Sequence, residues 1–360
     1  MNNTPQLRTF LIDLISTSGL SGYETPIRDL IEEAWQPLTD EISTSRLGSL
    51  HALKKGRLST ENTETAPSLL LAAHMDAIGL MVTGITDGLL QITEIGGLDP
   101  RVLPGQLVTV HGREDLSGII VQPPAHLIPA SVGRKPVPLE YLLVDTGQHA
   151  DEVDSLVRVG DLVSFSQPAL KLGENILAGH SLDNRASVAA LMHCLQELVG
   201  RQLVWDLWVV ATAQEEETLG GAQTSAFQLR PTLAVAIDVT YGSSPGSPEH
   251  LTFPIGEGPT LGWGPNIHPA LHKVFKELAD QLEIPTALEA LPRHSGTDAI
   301  ALQVAAEGIP TMVISIPLRY MHTPVEMVSL KDITRTGRLL AEFAAQLDES
   351  FMDKISWQDG

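Results

Sequence analysis

A single cysteine in 360 residues excludes any disulfide within the chain, as suits a reducing compartment. That residue, Cys194, lies in the helical stretch 188–195 and reads as a small buried side chain rather than a nucleophile. No apolar run approaches the roughly 18 residues that would span a bilayer. The opening Met-Asn-Asn-Thr-Pro-Gln lacks the basic-then-apolar layout of a signal peptide. Aromatic residues make up only 4% of the chain, which is poor provision for stacking on sugars. Basic residues are scarce as well: 23 Lys and Arg stand against 44 Asp and Glu, a net charge of −21. Such a chain repels nucleic acid and anionic membranes and draws in cations, including metal ions and peptide amino termini. The expectation is a soluble, cytoplasmic protein with neither nucleic acid nor membrane as partner.

What is present is a set of continuous apolar runs, each followed by metal-grade ligands. The runs are Leu-Leu-Leu-Ala-Ala before His74-Met-Asp76, Leu-Trp-Val-Val-Ala-Thr-Ala before Gln214-Glu215-Glu216, Leu-Ala-Val-Ala-Ile before Asp238, and Thr-Met-Val-Ile-Ser-Ile shortly before His322. Continuous apolar runs suit strands buried on both faces, as in a parallel sheet. Open α/β sheets bind ligands outside the carboxyl ends of their strands, so these residues are expected to converge there. Asp183, in Gly-His180-Ser-Leu-Asp183-Asn184-Arg185 just before a helical pattern, is a further candidate. Two His and several carboxylates without Cys form a nitrogen and oxygen set suited to Zn²⁺, Co²⁺ or Mn²⁺ and to a hydrolytic two-metal site.

Each signal has a plainer reading. His-x-Asp is common. Glu215-Glu216-Glu217 also describes a solvated helix start, where acids are favoured. Asp183 suits a helix cap. His180 and His294 read as loop residues near the site, supporting or facing solvent. Asp145 also ends an apolar run, but in a different setting. From about 78 to 166, short strand-like pieces at 80–85, 89–95, 107–110, 118–121, 141–144 and 162–165 alternate with Gly- and Pro-rich turns. That stretch reads as a small all-β unit with little helical periodicity. The expected architecture is α/β: a mixed-sheet catalytic domain of residues 1–76 and 168–360, split by a β-rich, barrel-like insert of residues 77–167. Helices are expected from Thr4-Pro5 and Thr25-Pro26, and over 188–199, 268–282 and 330–347.

Six segments carry a resemblance to a known family: Ala73-His74-Met75-Asp76-Ala77-Ile78-Gly79, Leu182-Asp183-Asn184-Arg185, Gln214-Glu215-Glu216, Ala236-Ile237-Asp238-Val239-Thr240, Ser295-Gly296-Thr297-Asp298-Ala299 and Arg319 through Glu326. The insert's Ile95-Gly-Gly-Leu-Asp-Pro-Arg-Val-Leu-Pro-Gly105 adds to them. In this order the chain resembles the glutamyl aminopeptidase and tetrahedral aminopeptidase family of dinuclear metallopeptidases, some of whose members are labelled endoglucanases. The resemblance implies a zinc-exopeptidase-like fold with two divalent ions, Zn²⁺ or Co²⁺, per subunit. It implies that Asp183 bridges the ions, that His74 and Asp238 complete one shell, and that Glu216 and His322 complete the other. Glu215 would be the general base on the bridging water, with Asp76 steadying His74. Peptides would be the substrates, and the insert would serve dimer contacts and shape the site of a homo-oligomer that extends in the family to a dodecamer. Two departures stand out: Glu217-Thr218 where Val-Gly is frequent, and His294 where Gly is frequent. Two other readings remain open at this point, a glycoside hydrolase using paired carboxylates and a metal-stabilised assembly protein without turnover.

Overall fold

The computed structural model describes residues 4–58, 66–129, 132 and 135–355. The chain opens with helices α1 (Thr4–Ser16) and α2 (Thr25–Trp35). Leu7, Leu11 and Leu14 on the first, and Ile27, Ile31 and Trp35 on the second, recur at three- or four-residue steps and are fully buried. Pro5 and Pro26 sit at the second positions of the helices, where a missing N–H costs nothing. Strands β1 (Glu41–Thr44), β2 (Leu50–Lys54) and β3 (Ser68–His74) follow.

The chain then leaves the sheet. Strands β4 (Gly79–Thr86), β5 (Leu89–Ile95), β6 (Leu107–His111), β7 (Asp115–Val121), β8 (Leu143–Asp145) and β9 (Leu162–Phe165) close into an antiparallel barrel in the order β4-β5-β8-β7-β6-β9. Val82, Leu90, Val110, Ile120, Val144 and Val163 fill it, in an apolar cluster separate from that of the sheet. Closure removes the free strand edges that so small a sheet would otherwise expose. A short helix, α3 (Ala150–Leu156), also lies in this stretch, which reads in sequence as having little helical periodicity. Only Val153 of its seven residues is buried, so no helical period forms.

Strands β10 (Leu170–Leu172) and β11 (Ile176–Gly179) return the chain to the large sheet. The remaining elements are α4 (Leu182–Glu197), β12 (Asp206–Thr212), α5 (Glu215–Thr218), α6 (Gly220–Leu229), β13 (Leu233–Tyr241), β14 (Thr260–Trp263), α7 (Pro269–Gln281), β15 (Ala287–Ala290), α8 (Ala299–Gln303), β16 (Thr311–Arg319), β17 (Glu326–Ser329) and α9 (Leu330–Gln346). Among the described residues the sheet has 11 strands, with β1-β2-β12-β3-β13-β16-β17-β11-β10 in sequence and β14 joining β16 to β15. Its centre, β12-β3-β13-β16, is parallel. Every residue of β3 is buried, which accounts for its unbroken apolar run. Helices α1, α4 and α9 pack on one another, and α4 packs on β3 and β13. The fold is thus a mixed α/β domain interrupted by a closed six-stranded barrel. Among the described residues no helix is long and apolar enough to cross a membrane.

Candidate metal centre

Sheet register decides which side chains meet. His74 ends β3 and pairs with Thr212 of β12, while Ala72 pairs with Ala236 of β13. Two residues beyond that pair, His74 and Asp238 stand at the same level on neighbouring strands and share a face. Asp238 does not end its strand, contrary to the apolar run that stops there: β13 continues to Tyr241 because Val239, Thr240 and Tyr241 still pair with β16. Opposite them, Asp183 departs from helical geometry at the start of α4, and its peptide bond to Asn184 is cis. His322 lies three residues past β16, in a turn that places Tyr320 and His322 in the left-handed region.

The result is a compact constellation. His74 Nε2 stands 3.2 Å from Asp183 Oδ1, 3.7 Å from Asp238 Oδ1 and 3.8 Å from Glu215 Oε2. His322 Nε2 stands 3.5 Å from Asp183 Oδ2 and 3.6 Å from Glu216 Oε2. Two groups of three donors emerge, His74-Asp183-Asp238 and Asp183-Glu216-His322, each close enough to hold one ion. Asp183 belongs to both, through different oxygens. Glu215 belongs to neither. All seven residues expected from the sequence are therefore brought together, with Asp76 behind His74 at 3.6 Å.

Burial disfavours the charged carboxylates of this cluster. It pushes the carboxyls of Glu215, Glu216 and Asp238 above the ordinary range, and the neighbouring carboxylates add to the shift. Burial likewise opposes charge on His74, but Glu215, Asp183, Asp238 and Asp76 outweigh it and raise the imidazole. The Asp183 hydrogen bond chiefly raises His322. Glu216 Oε1 is buried, and among the described residues it has no hydrogen-bond partner. An unpaired buried carboxylate oxygen is costly, and divalent ions would offset it here. The nitrogen and oxygen donors fit divalent metal ions.

Several supporting contacts had no counterpart in the sequence reading. Glu326 is 1% exposed and accepts the backbone N–H groups of Asp183, at 3.0 Å, and His322, at 2.9 Å, so one carboxylate spans the two ends of a ligand group. Asp76 accepts the N–H groups of Glu215 and Glu216, which fixes the start of α5. Asp298 lies buried near Glu215 and accepts the Thr212 hydroxyl. Glu217, read above as solvated, accepts the N–H of Gly96 at 2.7 Å and so ties the barrel to α5. A Cβ on the adjoining Gly97 would stand 3.3 Å from His322 Nδ1, so the barrel loop also borders the site. A better clue in sequence would have been an acid ending a constrained turn, as Glu326 does four residues after His322. His180 is buried against Ser181, outside both groups, and His294 is exposed at the rim. Asp145 is in the barrel, and burial pushes the Cys194 thiol up, which leaves it inert.

Arg185, one turn into α4, is 1% exposed and reaches the carbonyls of Leu14, Thr17, Gly19 and Met75. Burial lowers its pKa to about 10, while Asp76 and Glu326 work to keep it charged. It therefore fastens the end of α1 to the helix that carries Asp183. Arg185→Leu should cost about 3–5 kcal/mol, as when one partner of a buried charged network is removed. Urea unfolding would measure it, and a loss below about 1 kcal/mol would mean that water takes the place of the guanidinium.

The site opens into a cavity of about 630 Å³ lined by both donor groups, Glu215 and residues of β13 and β15. A larger cavity, about 800 Å³, lies between the N-terminal helices and the barrel and contains none of the seven residues. The family signature of the M42 glutamyl aminopeptidases matches residues 50–339, a span that includes every donor of both groups. The chain belongs to the M42 glutamyl aminopeptidase family. It is a metallopeptidase-family hydrolase. Among curated relatives, it is 34% identical to a lysyl aminopeptidase of Pyrococcus furiosus over 341 residues, 93% of this chain and 95% of that one. Among solved structures, aminopeptidase APDkam598 from the archaeon Desulfurococcus kamchatkensis superposes with a TM-score of 0.89 at 31% identity, over 98% of each chain. The TET1 peptidase of Pyrococcus horikoshii, which can assemble into a tetrahedron or a large octahedral shell, gives 0.82 at 29% identity over 95% of this chain and all of that one.

Proposed function

We propose that this protein removes N-terminal residues from peptides, with two divalent ions held by His74, Asp183 and Asp238 on one side and by Asp183, Glu216 and His322 on the other. The observation that carries the reading is the division of Asp183 between two donor groups, with Glu215 left over beside them. When bound, the ions supply a Lewis acid for the scissile carbonyl and lower the pKa of water between them. Glu215 holds a carboxylate toward that space, takes the proton of the attacking water and returns it to the leaving amine. Asp76 orients His74 from behind and anchors the backbone of Glu215 and Glu216. Glu326 keeps Asp183 and His322 in register. A glycosidase would use two carboxylates across an open cleft and would leave both His without work. A purely structural site would have no use for the extra carboxylate of Glu215.

The same reading extends to organisation. Residues 1–76 and 168–360 form the catalytic domain, and residues 77–167 form an insert that borders the site and offers surface for dimer contacts. Homo-oligomers are supported by the assembling Pyrococcus horikoshii relative, and a dodecamer by the similar PhTET1-12s, solved as a dodecamer. A cytoplasmic location goes with this reading.

Peptides with a free amino terminus should be trimmed stepwise, while acetylated counterparts resist cleavage. The acidic chain favours a positively charged α-amine at the site, and polar groups built to pair it would be left unpaired by a blocked end. Mass spectrometry of a digest should show a ladder losing one residue at a time. Internal fragments, or equal rates on blocked peptides, would mean an endopeptidase instead.

A further inference from the structure

Beside the metal donors, the site cavity holds one further acid. Glu289, on β15, lines the cavity without belonging to either donor group. Its carboxylate is gripped at both oxygens: Thr240 Oγ1 donates to Oε1 and Thr260 Oγ1 to Oε2, each at 2.6 Å. Both threonines are buried, at 4% and 0% exposure. The carboxylate is thus fixed by neutral donors and not by a counter-ion. Among the described residues, no Lys or Arg lines the cavity. Beyond the donor groups and Glu215, its other titratable side chains are Tyr241, His250 and His294, and no ion pair joins either histidine to Glu289 among the described residues. Two divalent ions would offset the charge of the donor groups, but they would leave the charge of Glu289 standing.

Position gives that charge a use. Thr240 follows Asp238 by two residues on β13, so the two side chains share a face and lie roughly 6.6 Å apart along the strand at about 3.3 Å per residue. Glu289 is held at the Thr240 level, one such step from a metal donor. A substrate whose scissile carbonyl sits at the ions carries its N-terminal side chain within reach of that point. A lysine spans the step with its four-carbon stem and delivers an ammonium; an arginine does the same with a guanidinium. Leu251, Phe253 and Leu291, also in the lining, offer apolar surface for the stem.

We infer that Glu289 selects peptides whose N-terminal residue is basic, Lys or Arg, by pairing the cation at the end of its side chain. This rests on the aminopeptidase reading above and adds the chemical class of the residue removed. An acidic N-terminal side chain would meet a fixed carboxylate and be rejected, since like charges placed together cost affinity.

The test has two parts. Metal-loaded protein is assayed on Lys-, Arg-, Leu- and Glu-p-nitroanilide, and kcat/KM should be highest for Lys or Arg and lowest for Glu. Glu289→Gln should lower the Lys-to-Leu ratio about ten- to hundredfold, the usual loss when a charged hydrogen-bond partner is neutralised. Binding is then measured apart from turnover, by calorimetry of lysinamide and leucinamide on metal-loaded Glu215→Gln protein with and without Glu289→Gln. Tighter binding of lysinamide that disappears with Glu289→Gln supports the inference even if no anilide is cleaved, an outcome that would count against the aminopeptidase reading alone. A wild-type preference for Leu or Glu, or a Lys-to-Leu discrimination that Glu289→Gln leaves intact, would overturn it.

Discussion

Glu215→Gln should retain the protein's metal and lose most of its turnover. The amide preserves size and shape but cannot accept a proton, and loss of a general base typically costs about 10²–10⁴-fold in kcat. Metal should stay because Glu215 belongs to neither donor group, although its carboxylate lies 3.8 Å from His74 Nε2. The backbone should stay too: the Glu215 N–H donates to Asp76, and that bond does not depend on the side chain. Two measurements on one preparation decide the matter, metal per chain by elemental analysis and kcat on a cleavable aminoacyl anilide. If Glu215→Gln loses an ion, Glu215 is a donor and its role and that of Glu216 are exchanged. If it keeps full activity, the proton goes elsewhere and the mechanism fails. Glu216→Gln is the matching control. Glu216 Oε2 stands 3.6 Å from His322 Nε2 within a donor group, so this change should cost metal first and activity as a consequence.

The parts of this site that were legible in sequence are those tied to periodicity. A strand buried on both faces writes itself as an unbroken apolar run, so a polar residue at its end stands out; His74 and the Glu215-Glu216 pair are of this kind. The barrel strands were legible for a related reason, short alternating pieces between turns. Asp238 shows the limit. The apolar run stops there, yet the strand continues for three residues, because pairing with β16 and not hydrophobicity sets its end. Glu326 and Arg185, which act through the backbone, left no periodic pattern that gave them a role. Glu326 is an ordinary acid in sequence, and only the fold brings it to the N–H groups of Asp183 and His322, which are 139 residues apart in the chain as numbered. Arg185 gathers carbonyls from α1, the turn after it and the end of β3, and no spacing rule could have joined them. Glu217 looked like one more charge in an acidic run. Its bond to Gly96 depends on where the insert folds back, which is a property of two units together.

Asp183→Asn should remove more metal than any other single donor change. Asp238 serves only the group with His74, and Glu216 only the group with His322. Asp183 serves both, with Oδ1 3.2 Å from His74 Nε2 and Oδ2 3.5 Å from His322 Nε2. An asparagine keeps one oxygen and turns an N–H₂ donor toward the other position, so it can complete at most one group. The rest of the setting should survive, because the Asp183 backbone N–H still donates to Glu326 and the Asn184 side chain still donates to the carbonyl of Ile237 at 2.9 Å. The expected result is two ions per chain in the wild type and no more than one in Asp183→Asn after exhaustive dialysis. Asp238→Asn and Glu216→Gln should each weaken one ion and leave the second better held. Activity should fall at least ~10³-fold in Asp183→Asn, since Lewis-acid stabilisation is worth several kcal/mol and each ~1.4 kcal/mol is a factor of ten. Near-native secondary structure by circular dichroism would separate this loss from unfolding. Two ions per chain retained in folded Asp183→Asn would show that Asp183 does not bridge, and a wild type that binds only one ion while cleaving peptides would remove the two-ion site itself.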